Sequence, residues 1–145
     1  MNMPEYITRK EVQRVCREIG IRDWTLLPEA TVELEEARKI LSEVNKKAMP
    51  VAVEVFRQGL EVELEHGTRF DDANVTNNHP ILTGMIVLAH LKETLDYYQR
   101  IDVAEVEGDL LKAIAAQDAA KIKAKYKKLI AVRGALSEAE SRQLL

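Results

Sequence analysis

PVAVEVFRQGLEVELEHG, residues 50–67, is the stretch whose reading decides the fold class. Pro50 suits the first position of a helix and Gly67 its C-cap, so the run predicts a helix between them. Steps of 100° per residue gather Val51, Val55, Val62, Ala52 and Phe56 on one arc, which continues through Leu60, Val53 and Leu64. Glu54, Glu61 and Glu65 fall on the opposite, solvent side. Glu63 breaks the pattern. It lies inside the apolar arc, roughly 60° from His66. The expectation is that Glu63 is largely buried while Glu61 and Glu65 are largely exposed.

Similar signals extend on both sides. Thr8-Arg9-Lys10-Glu11 is a capping box that opens a helix with the stripe Val12, Val15, Cys16 and Ile19, closed by Gly20. Ile21 to Pro28 reads as a connector that tucks Trp24 onto the core. A second helix is expected from about Thr31 to Lys47, with Leu34, Ala37, Ile40, Leu41 and Val44 at helical spacing. Its acidic first turns and Lys46 and Lys47 at its end follow the helix dipole. Thr68 to Asn78 is polar and reads as a surface loop. The fourth helix, capped by Asn78 or Thr76 and with Pro80 in its first turn, is apolar almost all round and is expected to be central and buried, ending near Tyr98. Asp102 and Asp109 are candidate caps for a fifth helix to about Ala116, Asp118 for a sixth to Val132. Ser137-Glu138-Ala139-Glu140 is a capping box for a short terminal helix.

These readings predict an all-α, single-domain helical bundle of five to seven helices. Residues 1–101 are expected to form a helical core and residues 102–145 a C-terminal helical extension packed on it. Composition agrees. In 145 residues, hydrophobic side chains are 46% and charged ones 31%, enough for a packed core, while Gly and Pro number only six and four. The net charge of -3 gives no global attraction to nucleic acid. One cysteine, Cys16, supports neither a disulfide nor a thiolate metal cluster, and with no apolar leader or membrane-length apolar run the expected setting is cytoplasmic.

One constellation carries chemistry. Glu63 and His66 end the third helix, and His90 and Glu93 lie in the fourth. Each pair is spaced three residues apart and so shares a face. Two readings of such buried polar groups stand side by side. In one, Glu63, His66, His90 and Glu93 hold a transition metal, for which zinc, iron or manganese suits imidazole and carboxylate ligands. In the other, Glu and His pair directly in a structural hydrogen-bond network within a non-enzymatic protein-interaction module. A simple antiparallel hairpin sets His79 beside His66. If the loop overshoots, the reversed order sets His66 opposite His90 and Glu63 opposite Glu93. Glu36 and Glu43 are weak candidates for further carboxylate ligands.

The segments Phe56 to Gly67, Asn74-Val75-Thr76-Asn77, Ala89-His90-Leu91-Lys92-Glu93 and Asp96-Tyr97-Tyr98 together resemble the bacterial domain-of-unknown-function family 5661. The head from Ile7 to Trp24 is similar to that family's opening helix and turn. The resemblance spans about Ile7 to Ile101 and includes Glu63, His66, His90 and Glu93 as they stand here. It implies a shared compact helical fold and carries no established activity. Two departures stand out. Asn78-His79 replaces an acidic pair before the proline, and Leu95 replaces a proline before Asp-Tyr-Tyr.

Other features read as structural. His79 reads as a capping or surface residue and Cys16 as core. Lys121, Lys123, Lys125, Lys127 and Lys128 read as the solvated face of an amphipathic helix, which argues against nucleic acid as a partner. No phosphate loop or Ser-His-Asp order is present. A homo-oligomer or a protein partner stays open, and no reaction is legible.

Overall fold

A computed structural model describes residues 7–145, the side chain of Asp71 excepted. Helices take 74% of the chain, and no strand occurs among the described residues. Among the described residues six α-helices form, α1 (Arg9–Ile19), α2 (Leu34–Val44), α3 (Val53–Arg69), α4 (Pro80–Glu93), α5 (Tyr97–Ala115) and α6 (Ala119–Gln143). They fall into two compact units, one ending at Glu93 and the other Thr94–Leu145.

In the first unit, the expected cap of α1 forms. Thr8 Oγ1 accepts from the Glu11 amide at 3.2 Å, and Gly20 at φ 66° ends the helix, with the Ile21 amide returning to the Cys16 carbonyl. Val12, Val15 and Cys16 are buried, and Trp24 is fully buried in the 3-10 turn that follows. α2 is shorter than expected. Glu33 stays extended and caps the helix through a reciprocal box with Glu36, so Thr31 and Val32 lie outside, and Asn45 ends it before Lys46 and Lys47. α4 packs against α1, α2 and α3. Gly84 permits this, since a Cβ there would stand 2.6 Å from Ile40 Cγ2.

Gly67 does not cap α3. It lies buried within the helix, which runs on to Arg69. A Cβ at this position would stand 1.9 Å from Asn78 Oδ1 and 2.9 Å from Asn74 Nδ2. The missing side chain is therefore a docking gap for the Asn-rich loop. Asn74 Nδ2 donates to the Gly67 carbonyl, and Asn77 and Asn78 adopt the left-handed conformation that Asn tolerates at φ 48° and 62°. The loop read as a solvated connector is thus packed onto α3, and it delivers His79 to the start of α4. His79 caps that helix: it is 7% exposed, and its Nδ1 accepts from the Leu82 amide at 3.4 Å. α4 is central but not buried all round, because Met85 and Ile86 are 55% and 36% exposed.

The second unit is a two-helix hairpin. α4 ends at Glu93 rather than Tyr98, because Thr94 and Asp96 form a turn in which the Thr94 hydroxyl donates to the Asp96 carboxylate. α5 then starts at Tyr97, not at Asp102 or Asp109. Asp118 caps α6 by accepting from the Lys121 amide at 3.0 Å. Ser137 starts no new helix. Its carbonyl accepts from the Ser141 hydroxyl inside α6, which continues to Gln143. Val106, Ala113 and Leu129 are buried between α5 and α6, and the ion pairs Asp109–Lys125, Glu107–Arg133 and Arg100–Glu140 bridge them.

Candidate functional site: a cleft beside a Glu–His pair

The helical arc that singled out Glu63 is the one that turns inward. Its side chain is 14% exposed, against 39% for Glu65. Glu61 and Glu65 depart from the expectation, both being half-buried; Glu61 Oε1 accepts from the Val32 amide at 3.0 Å and so ties the entry of α2 to α3.

Glu63 meets the fourth helix at His90, the direct Glu–His contact of the second reading, rather than at Glu93. His90 Nδ1 lies 3.1 Å from Glu63 Oε1, with the imidazole 29% exposed. The symmetric arrangement, His66 opposite His90 and Glu63 opposite Glu93, does not occur. Instead a carboxylate faces an imidazole. The direct contact satisfies both groups at once. His66 and Glu93 are both exposed, and neither joins the pair. Among the described residues, no group of three or more His, Cys, Asp or Glu side chains is placed to hold a metal ion. Glu36, one of the weak candidates for a further ligand, serves elsewhere. It is 4% exposed and accepts from Arg22 Nε and Nη2 at 3.0 and 2.6 Å and from the Arg22 amide at 3.0 Å. Burial pushes its carboxyl up, and these hydrogen bonds outweigh burial and hold it below the usual value.

Next to Glu63, the end of α3, the docked loop and the first turns of α4 enclose a cleft of about 220 Å³. Its polar lining is Glu63, His66, Asn74, Thr76 and Thr83, the last only 2% exposed. Its apolar lining includes Phe70, Val75 and Ile86, which are 53%, 86% and 36% exposed. Two of the four predicted site residues, Glu63 and His66, therefore belong to this cleft, and His90 touches it through Glu63. Phe70, Val75, Thr83 and Ile86 were not legible as site residues. Phe70 and Val75 lie in a segment with no periodicity, and the helical period places Thr83 and Ile86 near His90 and Glu93 without marking them as lining a cleft. The Asn residues at positions 77 and 78 carried a usable signal, since Asn tolerates the left-handed turns that fold the loop back.

Two lysines of the α6 run are held in ion pairs. The Lys125 ammonium is engaged with Asp109 at 2.6 Å, and Lys121 lies 3.3 Å from Asp118. Among the described residues, no helix is long and apolar enough to cross a membrane.

Comparison with curated proteins and with solved structures returns no match. A family model described as a protein of unknown function, DUF5661, matches residues 12–107. The matched region runs from Val12 within α1 to Glu107 within α5 and takes in both members of the Glu63–His90 pair and every residue lining the cleft. It extends over well over half of the 145 residues, and the chain belongs to DUF5661.

Proposed function

We propose that the protein is a non-enzymatic interaction module whose cleft receives an apolar side chain from a protein partner. The observation that carries this reading is the cleft itself: about 220 Å³, open at the surface and rimmed by exposed Phe70, Val75 and Ile86. Pockets for small molecules and cofactors run from roughly 300 to 1,000 Å³. This one is nearer the size of a single large side chain, and exposed aromatic and aliphatic groups around a small pocket are the usual seat of an anchoring residue. Glu63, Thr83 and Asn74 supply hydrogen-bonding groups at the lining, which suits an anchor with a polar tip, such as Tyr or Trp.

A second reading keeps the metal, zinc, iron or manganese, and rests on the Glu63–His90 contact as half of a ligand set. His66 and Glu93 would have to swing in to complete it. One set of experiments tests both. Peptides selected against the protein from a random library should share one aromatic or large aliphatic anchor. They should shift the amide resonances of Phe70, Val75 and Ile86 and lose binding at least about tenfold with Ile86→Glu. Selected peptides that bind elsewhere would refute the cleft. Stoichiometric uptake of zinc or manganese in equilibrium dialysis, abolished by His90→Ala, would install the metal reading instead.

A further inference from the structure

The outer face of α5 is built to pair with itself. Ala104, Gly108, Leu111 and Ala115 follow at spacings of four, three and four residues, the a/d pattern of a coiled-coil seam. They lie roughly opposite the buried Val106 and Ala113, and all four are exposed, Leu111 by 68%. A Cβ at Gly108 would meet nothing within 4 Å, so the backbone there is bare.

We propose that this face binds a second copy of the chain, α5 against α5 in antiparallel orientation about a two-fold axis between Asp109 and Leu110. About that axis Leu111 of each chain faces Gly108 of the other, a knob over a gap, and Ala104 faces Ala115. Charge complementarity points to the same occupant. Glu105 and Lys112 flank the seam on one side, and the two-fold sets Glu105 of one chain beside Lys112 of the other, twice, a contact Lys112 adds to the exposed one it makes with Asp109 at 3.4 Å in its own helix. A parallel pairing would instead stack Leu111 on Leu111 and Gly108 on Gly108, leaving a void at one level and crowding at the next. Small residues in the seam allow the helix axes to approach to about 8 Å. Because every residue invoked is the reciprocal of another on the same helix, the face is isologous, the property that a two-fold dimer requires.

Sedimentation equilibrium of the full chain tests this. The expected result at submillimolar concentration is a species of twice the 16.4 kDa chain mass. Leu111→Glu and Gly108→Leu should each return it to monomer with unchanged helicity, since both positions are exposed. Glu105→Lys should weaken the dimer by about tenfold, and adding Lys112→Glu should restore it, because exposed ion pairs of this kind act additively in the two equivalent places. In a Cys16→Ala background, chains carrying Ala104→Cys should form a disulfide with chains carrying Ala115→Cys faster than with themselves. A monomer at every concentration, a dimer indifferent to Leu111→Glu, or faster linkage of position 104 to itself would overturn the proposal.

Discussion

Replacing Arg22 with Met isolates the worth of the most buried carboxylate in the first unit. The Glu36 side chain is 5% exposed and the Arg22 side chain 39%. Met keeps the apolar stem and the main-chain amide, so the bond from the Arg22 amide to Glu36 Oε1 survives, as does that from the Glu33 amide to Oε2. Two charge-assisted bonds to Glu36 are lost, and with them a bond from Arg22 Nη2 to the Thr31 carbonyl at 2.8 Å. Removing one partner of a fully buried pair costs about 3–5 kcal/mol. Water reaches the guanidinium side of this pair, and two amides still serve the carboxylate, which brings the expectation to about 2–3 kcal/mol at neutral pH. With a urea m-value near 2 kcal/mol/M, the unfolding midpoint should fall by about 1–1.5 M.

The pH dependence makes the test sharper. In the parent protein Glu36 titrates below its ordinary value of 4.5, so its stabilisation is present above that value and is lost as pH falls through the folded pKa. In Arg22→Met burial is opposed by the two amide bonds alone, so the carboxyl titrates higher than in the parent and the variant relieves its penalty by taking up a proton. The gap between the two proteins should therefore be widest at pH 7 and narrow steadily below pH 4.5. A difference below about 0.5 kcal/mol, or one that is flat with pH, would show that water solvates Glu36 and that the pair is ornamental to the fold.

Gly67→Ala should destabilise the first unit by about 2 kcal/mol, even though Ala is the better helix former by about 1 kcal/mol, because the methyl displaces Asn78 and Asn74 from their seat. Amide shifts confined to the loop at residues 74–78, with α3 intact, would be the signature; a stabilised variant would contradict it. His79 supplies an acid-side dependence. Burial holds its imidazole below the ordinary 6.5, with Glu11 opposing and Arg14 reinforcing the effect. The stability that goes with a neutral His79 is thus complete above pH 6.5 and declines as pH falls toward the folded pKa. His79→Asn keeps a capping acceptor and cannot titrate, so urea midpoints measured across pH 5–7 should show a shallower decline than the parent.

The sequence made the helices legible wherever local chemistry sets them. The Thr8 cap, the Gly20 stop and the inward turn of Glu63 follow from side-chain hydrogen bonding and the 3.6-residue period, both of which are local. What escaped depends on partners distant in the chain. Gly67 read as a stop because glycine often is one; its actual role, admitting Asn78, exists only once the loop has folded back. Which residue of α4 meets Glu63 was not legible either, since helix–helix packing fixes it and no single residue announces it. The Ser137 box failed for a related reason. A capping signal competes with continuation of the helix, and the ion pair from Arg100 to Glu140 favours a helix that runs straight through.

Cys16 has a practical consequence. It is 1% exposed in the core face of α1, and burial pushes its thiol above the ordinary value. A thiol reagent at neutral pH should thus find nothing to attack in the native chain, and the rate of Cys16 modification becomes a clock for the opening of the first unit. In the slow-opening limit it counts unfolding events one by one, and in the fast limit it reports the free energy of exposing α1. The same silence gives the chain a blank background, so that a cysteine placed at Val75 or Leu111 carries a fluorophore at that position alone. The native residue then serves as an internal alarm that the label has been attached to a protein still folded.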